Sequence, residues 1–297
     1  MNLYDFYKSK KEYTFEALAA DKELAKHVQE VLIWFNLLSP PADGKFGPIS
    51  SAALREFQDL MNLKEKGFLG PETADKLIET RPKDLPLPEI IIGKDFASRI
   101  ISYMKSKGYD IAKGTKEYNI VYVEGIDADG TVNRDAPNYF NDRRLVIQIL
   151  DRKPKIIGNW EATTEPGFHY TYKPMNSQGA ARIKFGQYKA WRIGKHSTAD
   201  PHEALVQVAP VTVHRDFNKD LMRTGDRLDT GYFGINQHWG YDLPRNNIYF
   251  ASAGCLVGRT RKGHREFMEL IKQDKRYQLN KRYTFVSTII PGDGLPG

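Results

Sequence analysis

The chain of 297 residues contains one cysteine, Cys255, which ends a run of small residues. His238 lies 17 positions earlier, at the end of a short apolar segment that we expect to form a strand. A free thiol is mostly protonated at neutral pH, and its thiolate is the nucleophile. A neighbouring imidazole can accept the thiol proton. The pair therefore predicts acyl transfer through a thioester, with Cys255 as nucleophile and His238 as base.

The turn before Cys255 supplies two further candidates for catalysis. Gly254 has no side chain, so substrate and backbone can approach each other closely there. Its amide and that of Cys255 can point N–H groups at the oxyanion of a tetrahedral intermediate. Ser252 is a candidate for holding the far ring nitrogen of His238, as are Asp242 and a backbone carbonyl. The sequence does not distinguish among these three.

Three residues near this block are candidates for substrate binding. Trp239 and Tyr241 follow the histidine strand and can line a groove, although aromatic rings pack in cores equally well. His214 ends another predicted strand, where it binds a substrate carboxylate, orients His238, or simply belongs to a strand-end cluster. Four other histidines lie in polar loops or at a helix start and are expected to be solvated: His169, His196, His202 and His264.

The block from 233 to 257 resembles the signature of the L,D-transpeptidases, in which a histidine strand is followed by Ser-His-Gly-Cys. Ser252, Gly254 and Cys255 match this pattern, and His238 stands where the family has its base. The resemblance extends over about residues 145 to 260. It implies a peptidoglycan stem peptide as substrate, attacked at a bond next to a D-amino acid, with no metal and no cofactor.

Two positions depart from the pattern of that family. Ala253 stands in place of a histidine and Val257 in place of an arginine, while Arg259 is displaced by two positions. In the family these residues help to hold the thiolate and the substrate carboxylate, so Arg259 is a candidate for substrate binding. The sequence leaves open whether an amine or water resolves the thioester, and hence whether the enzyme cross-links or hydrolyses the wall.

An apolar pattern with helical spacing runs from 21 to about 80, and turn signals divide it into three predicted helices. The motifs that resemble the three-helix peptidoglycan-binding domain follow in order: Val28-Gln29, Asp43-Gly44-Lys45-Phe46-Gly47, Phe57-Gln58 and Gly70-Pro71-Glu72-Thr73. This resemblance implies bacterial peptidoglycan as a partner, and it makes Asp43 and Phe46 the candidates for glycan contact. A helical bundle with the same core and another role is the alternative.

The character of the sequence changes twice along the chain. Residues 81 to 93 are rich in proline and predict a stiff linker, followed by a helix that stops at Lys107-Gly108. From 118 onward, short β-rich segments alternate with glycine and proline, which fits a β-sandwich or a barrel-like fold. We therefore predict an α+β protein of two domains: a peptidoglycan-binding three-helix bundle at 1–85, a linker and helix at 86–117, and a mainly β, L,D-transpeptidase-like sandwich at 118–297.

Charge and hydropathy limit the partners and the location. The net charge is +7, but the basic residues are scattered, which favours an anionic cell wall over nucleic acid as the partner. The N-terminus lacks the apolar run of a signal peptide, and no stretch is long enough to insert into a membrane. We expect synthesis in the cytoplasm and delivery to the wall by lysis, by a holin or by an injection particle, as for a phage endolysin.

Two other functions stay open. A zinc peptidase or amidase would draw on His214, His238, Asp216 and Asp242, although no His-Glu-x-x-His motif is present. A non-catalytic wall-binding protein with a degenerate transpeptidase fold, for example in a phage tail, would keep Cys255 as a packed thiol. The bond cleaved, the acceptor and the oligomeric state are not determined by the sequence.

Overall fold

The structure is a computed structural model that describes residues 1–86 and 89–297. These residues form two compact units, Met1–Glu89 and Ile90–Gly297. Residues 87 and 88, which belong to the predicted proline-rich linker, lie outside the described residues.

The first unit is helical, with one short antiparallel β-pair. Its helices are α1 (Leu3–Ser9), α2 (Phe15–Ala20), α3 (Lys22–Trp34), α4 (Pro48–Leu60) and α5 (Pro71–Glu79), followed by a 3₁₀ turn at Pro82–Asp84. The β-pair joins β1 (Tyr13–Thr14) to β2 (Phe68–Leu69).

The three predicted helices are present as α3, α4 and α5. Helices α4 and α5 each begin with a proline after a glycine, and proline suits this position because its fixed φ is already helical. Their apolar faces meet in one core, where Phe35 stacks on Phe57 with ring centroids 5.4 Å apart. Helices α1 and α2 were not predicted, and α1 adds Leu3 and Phe6 to this core.

The second unit is mainly β, as predicted. Its helices are α6 (Phe96–Ser106), α7 (Phe168–Tyr172), α8 (Arg261–Ile271) and α9 (Lys275–Leu279). Its strands are β3 (Asn119–Glu124), β4 (Asp142–Leu150), β5 (Lys153–Thr163), β6 (Ala180–Ile183), β7 (Gly186–His196), β8 (His202–Gln207), β9 (Val211–Asp216), β10 (Arg227–Gly231), β11 (Gln237–Trp239), β12 (Leu256–Gly258) and β13 (Phe285–Pro291).

The main sheet closes into a barrel, which corrects the predicted sandwich. Its strand order is β11-β12-β5-β4-β3-β13-β7-β8, and a separate three-stranded sheet has the order β10-β9-β6. Closure follows from two connections: β13 pairs with both β3 and β7, and β11 pairs with both β12 and β8. A sheet that closes in this way has no free edge strand.

Helix α6 belongs to the second unit. Its residues Ile100, Ile101 and Met104 are fully buried and share an apolar cluster with Val121 of β3 and Leu145 of β4. The compact unit therefore begins at Ile90, whereas the sequence places this helix in a connecting segment and starts the second domain at 118. The amphipathic pattern identifies the helix correctly, but it does not reveal which core the apolar face joins.

The longest helices, α3 and α4, have 13 residues each. Within the described parts of the chain, no helix combines the length and the apolar character that crossing a bilayer requires.

Candidate active site

Cys255 and His238 belong to neighbouring segments, because β11, which contains His238, pairs in parallel with β12, which Cys255 immediately precedes. The register places His238 opposite Val257, and the Leu256 amide donates to the Asn236 carbonyl at 2.9 Å. Cys255 immediately precedes β12, and its sulfur contacts the backbone amide of Asn236. In the register of the two strands Cys255 is thus two positions from His238.

The thiol of Cys255 is partly exposed and contacts backbone groups. Its Sγ accepts a hydrogen bond from the Asn236 amide and donates one to the Gly234 carbonyl, each at 3.4 Å. Burial raises the pKa of this thiol to about 11, and the Asn236 amide opposes that shift. Cys255 is therefore a neutral thiol at physiological pH.

His238 is buried, and one hydrogen bond and one ring stack hold its imidazole. Nδ1 lies 2.8 Å from the Trp239 carbonyl, which can only accept, so Nδ1 carries the proton and Nε2 keeps a lone pair. The ring stacks on His196 at 3.9 Å between centroids. Burial and then His196 hold the pKa of His238 well below its usual value, so the ring is neutral. Among the described residues, no hydrogen bond joins His238 to Cys255.

Asn236 is a site residue that the sequence analysis missed. Its backbone amide faces the sulfur of Cys255, and its Nδ2 donates to His196 Nδ1 at 3.0 Å. Its Oδ1 accepts from the Gln207 amide at 2.9 Å. The side chain thus connects the start of β11 to the hairpin of β7 and β8. The one sequence feature that points to Asn236 is its position, two residues before His238.

The prediction that the loop histidines are solvated is wrong for two of them. His202 and His264 are buried, at 6% and 1% exposure, and His196 is half-buried. His202 stacks on Trp239 with centroids 3.7 Å apart, and the His264 Nδ1 accepts from Arg144 at 3.1 Å. The β7–β8 hairpin pairs His196 with His202, and this pairing carries both histidines to the side of β11.

The turn before Cys255 is held by its own polar groups. Ser252 is buried, its Oγ accepts from the Gly254 amide at 3.1 Å, and it donates to the Cys255 carbonyl at 3.0 Å. Gly254 has φ +123°, and a Cβ there would lie 2.3 Å from the Ala181 carbonyl oxygen. Ser252 therefore shapes the turn and has no hydrogen bond to His238 in the described structure. The Gly254 amide is engaged by Ser252 rather than pointing at an open site.

Trp239 and Tyr241 lie in different surroundings. Trp239 is 6% exposed, between His202 and the guanidinium groups of Arg261 and Arg265, so it packs rather than lining an open groove. Tyr241 is half-buried in the apolar cluster that includes Cys255, with its ring centroid 6.3 Å from that of His238. Of the two predicted groove residues, Tyr241 is the one beside the site.

His214 and Arg259 have partners away from Cys255. His214 lies in β9 of the three-stranded sheet, opposite Leu228, and burial lowers its pKa. No ring contact or hydrogen bond joins it to His238 among the described residues. Arg259 pairs with Glu161 and donates to the Leu243 carbonyl at 3.3 Å. Binding of a substrate carboxylate by Arg259 would compete with the Glu161 ion pair.

The two candidate glycan contacts of the first unit stabilise its loop. The Asp43 Oδ1 accepts from Gln29 Nε2 at 3.1 Å and from the Lys45 amide at 2.9 Å. Phe46 is 5% exposed and packs against Phe15 with ring centroids 5.8 Å apart. Both residues occupy the loop that the sequence singles out, where they hold its shape.

A largely buried cluster of carboxylates in the second unit was also missed. Oxygens of Glu124, Asp135 and Glu165 lie within 4.8 Å of one another. Arg182 pairs with Glu124 at 3.0 Å and with Glu165, and Arg223 pairs with Glu124. Burial and then Glu124 raise the pKa of Asp135 to about 6, and burial raises that of Glu165 well above its usual value. Because two guanidinium groups already balance these carboxylates, the cluster does not suit a divalent cation.

The four residues of the zinc alternative are not brought to one point in the described structure. Asp216 accepts the backbone amides of two residues that follow it, and Asp242 pairs with Arg261 at 2.9 Å. His214 and His238 lie in separate sheets. The geometry therefore gives this alternative no shared ligand site.

Comparisons with known proteins bear mainly on the first unit. Residues 21–77 match the family model described as "Putative peptidoglycan binding domain", which confirms the resemblance of the helical segment. Among curated proteins, none matches the chain. One similar solved structure is the fused Zn-dependent amidase/peptidase/peptidoglycan-binding domain-containing protein from Clostridium acetobutylicum ATCC 824, at 16% identity over 94% of this chain and 99% of that chain, with a TM-score of 0.30. Another is the L,D-transpeptidase (residues 123-326) from Xylanimonas cellulosilytica DSM 15894, at 16% identity over 89% and 92%, with a TM-score of 0.25. At these TM-scores the two structures support no inference about the fold or the function of this chain.

Proposed function

We propose that this protein binds bacterial peptidoglycan through residues 21–77 and acts on its stem peptides through Cys255. The observation that carries the catalytic part is the fixed tautomer of His238. Because Nδ1 donates to the Trp239 carbonyl, the lone pair of Nε2 is free to accept a proton. The parallel pairing of β11 with β12, which Cys255 immediately precedes, supports this ring as the base.

The chemistry starts from a neutral pair. As Sγ of Cys255 attacks the carbonyl carbon of a stem-peptide bond, its proton passes to His238 Nε2. The imidazolium then protonates the leaving amine, and a thioester remains on Cys255. Attack by water regenerates the thiol and releases a shortened peptide, whereas attack by an amine forms a new cross-link. A phage-type lytic role corresponds to the first outcome.

The second candidate is a wall-binding protein without catalysis. It is favoured by the missing hydrogen bond between Cys255 and His238 and by the Gly254 amide, which Ser252 already engages. In apo enzymes catalytic hydrogen bonds are often long and tighten when substrate binds. The two candidates therefore differ in what the protein does with substrate rather than in its resting geometry.

Mass spectrometry of muropeptides released from purified peptidoglycan separates the two candidates. We expect products from the wild type and from His214→Gln, and none from Cys255→Ala or His238→Gln; the two histidine variants carry the same substitution at different places. Product masses distinguish hydrolysis from cross-linking. Products that persist in Cys255→Ala would exclude the thiol mechanism. Wall binding without products from any variant would favour the binding protein.

A further inference from the structure

A row of aromatic side chains leads away from Cys255 across the surface of the second unit. The ring of Tyr241 lies 6.0 Å from that of Phe250, Phe250 lies 5.7 Å from Tyr249, and Tyr249 lies 5.4 Å from His169. Helix α7 adds a second pair of rings, Phe168 and Tyr172, whose centroids lie 5.6 Å apart. We name the following six residues the aromatic ridge: Tyr241, Phe250, Tyr249, His169, Phe168 and Tyr172.

Most of the ridge is open to solvent. The exposed fractions are 46% for Phe250, 47% for Tyr249, 36% for Phe168 and 50% for Tyr172. Large apolar rings that stay exposed do not gain the free energy that burial would give, and exposed apolar patches typically mark binding sites. All the exposed large apolar side chains within 168–172 and 249–250 are aromatic.

The fold holds the two segments of the ridge against each other. The buried Asn138 accepts through Oδ1 from the Phe168 amide at 3.1 Å and from the Tyr249 amide at 2.8 Å. Gly167 lies so close that a Cβ there would be 2.1 Å from the Tyr249 carbonyl oxygen. One buried carboxamide and one obligatory glycine thus fix the start of α7 beside the loop that carries Tyr249.

Two ridge residues have a backbone conformation that bulky side chains rarely adopt. Tyr241 has φ +59° and Tyr249 has φ +46°, both in the left-handed region. Strain of this kind persists only where surrounding structure enforces it, and it concentrates at ligand sites. The clamp by Asn138 supplies that enforcement at Tyr249.

We propose that the aromatic ridge binds the sugar strand of peptidoglycan and thereby presents the attached stem peptide to Cys255. The inference rests on the proposed function and names the part of the substrate that the second unit holds. The C–H faces of sugar rings stack on the electron-rich faces of aromatic rings, and tyrosine hydroxyls bond sugar hydroxyls. The ring contacts from His169 through Tyr249 and Phe250 form a linear series, as a linear polymer requires, and the series ends at Tyr241, 6.3 Å from the His238 ring.

Amide hydrogen exchange on the full chain tests this proposal, because it reports each segment separately from the first unit. With chitohexaose, a soluble oligomer of N-acetylglucosamine, we expect slower exchange in 166–172 and 247–251. The double substitution Tyr249→Ala with Phe250→Ala should weaken this protection about tenfold in ligand concentration. The matched control, Phe217→Ala with Tyr232→Ala, removes two exposed aromatic side chains outside the ridge and should leave it unchanged.

One further variant and three further results support or overturn the proposal. Tyr172→Ala, at the far end of α7, should weaken binding without altering the loop, so misfolding of the double variant does not leave the proposal untested. Protection confined to residues 1–89 would overturn the proposal, and so would protection of the ridge by an unglycosylated stem tetrapeptide in place of chitohexaose. If chitohexaose protects the ridge while the wild type releases no muropeptides, the catalytic proposal fails and the sugar site stands.

Discussion

The reactivity of Cys255 depends on what surrounds its sulfur. Sγ contacts one backbone amide and one carbonyl, and no charged group lies among the causes of its raised pKa. A thiolate–imidazolium pair in the resting protein would need the opposite setting, with a thiol pKa below its usual value. The structure therefore predicts a nucleophile that is activated only when substrate is bound.

Alkylation kinetics measure this directly, because Cys255 is the single cysteine. With a pKa of about 11, the thiolate fraction at pH 7.5 is roughly two orders of magnitude or more below that of a free thiol with a pKa of ~8.5. We expect iodoacetamide to label Cys255 correspondingly slowly, with a rate that still rises above pH 9. Glutathione is the control. A rate that is already at a plateau near pH 7 would show a preformed ion pair and contradict this expectation.

Gly254 offers a second test at the scale of one residue. Gly254→Ala places a methyl group 2.3 Å from the Ala181 carbonyl oxygen at φ +123°, so both the clash and the backbone strain destabilise the fold. Gly225→Ala has φ +85° and open space around its Cβ, which isolates the backbone cost of ~1–3 kcal/mol. Urea unfolding should show a larger loss for Gly254→Ala. Equal losses would mean that the turn relaxes away from β6.

At the scale of elements, local patterns predict much and pairing partners little. Helices α3 to α5 follow from apolar spacing and turn residues, and the strand that carries His238 follows from its short apolar run. The sequence does not show that β7 and β8 carry His196 and His202 to β11, because this neighbourhood arises from strand pairing between distant segments. The choice between a sandwich and a closed barrel is open at the sequence level for the same reason: it depends on which strands pair, and no local signal encodes that.

The β7–β8 hairpin makes stability depend on pH. Burial, followed by His202, lowers the pKa of His196 to about 4 from a usual value near 6.5. Between these values the unfolded chain binds a proton that the native state does not, so stability is full above about pH 6.5 and falls as the pH falls towards 4. The slope for one proton is about 1.4 kcal/mol per pH unit, and less here because His196 is partly exposed.

The variant His196→Phe keeps a flat ring against His238 and removes the titration. In urea unfolding series at constant ionic strength, its stability should fall less steeply below pH 6.5 than that of the wild type. The comparison is made through the change with pH, so a constant difference in packing does not affect it. Parallel curves for the two proteins would show that His196 is not the group that titrates.

At the scale of the whole molecule, the two units carry separate cores. Among the described residues, the apolar cluster of the first unit draws on residues up to Leu85, and those of the second begin at Ile90. The family match falls within the first unit, whereas Cys255, His238 and the aromatic ridge all lie in the second. The wall retention and the stem-peptide chemistry that we propose therefore fall in different units.

Division of the chain tests this assignment. Because each core is complete within its unit, we expect fragments 1–89 and 90–297 each to unfold cooperatively, with the Tm of 90–297 within a few degrees of the matching transition in the full chain.

Fragment 1–89 should sediment with insoluble peptidoglycan. Fragment 90–297 should still release products from soluble muropeptides and should lose activity mainly on intact wall, where tethering by the first unit raises the local substrate concentration. If 90–297 loses its cooperative transition, the second core depends on the first unit. If it folds but is equally active on intact wall, residues 21–77 serve another purpose than holding the enzyme at its substrate.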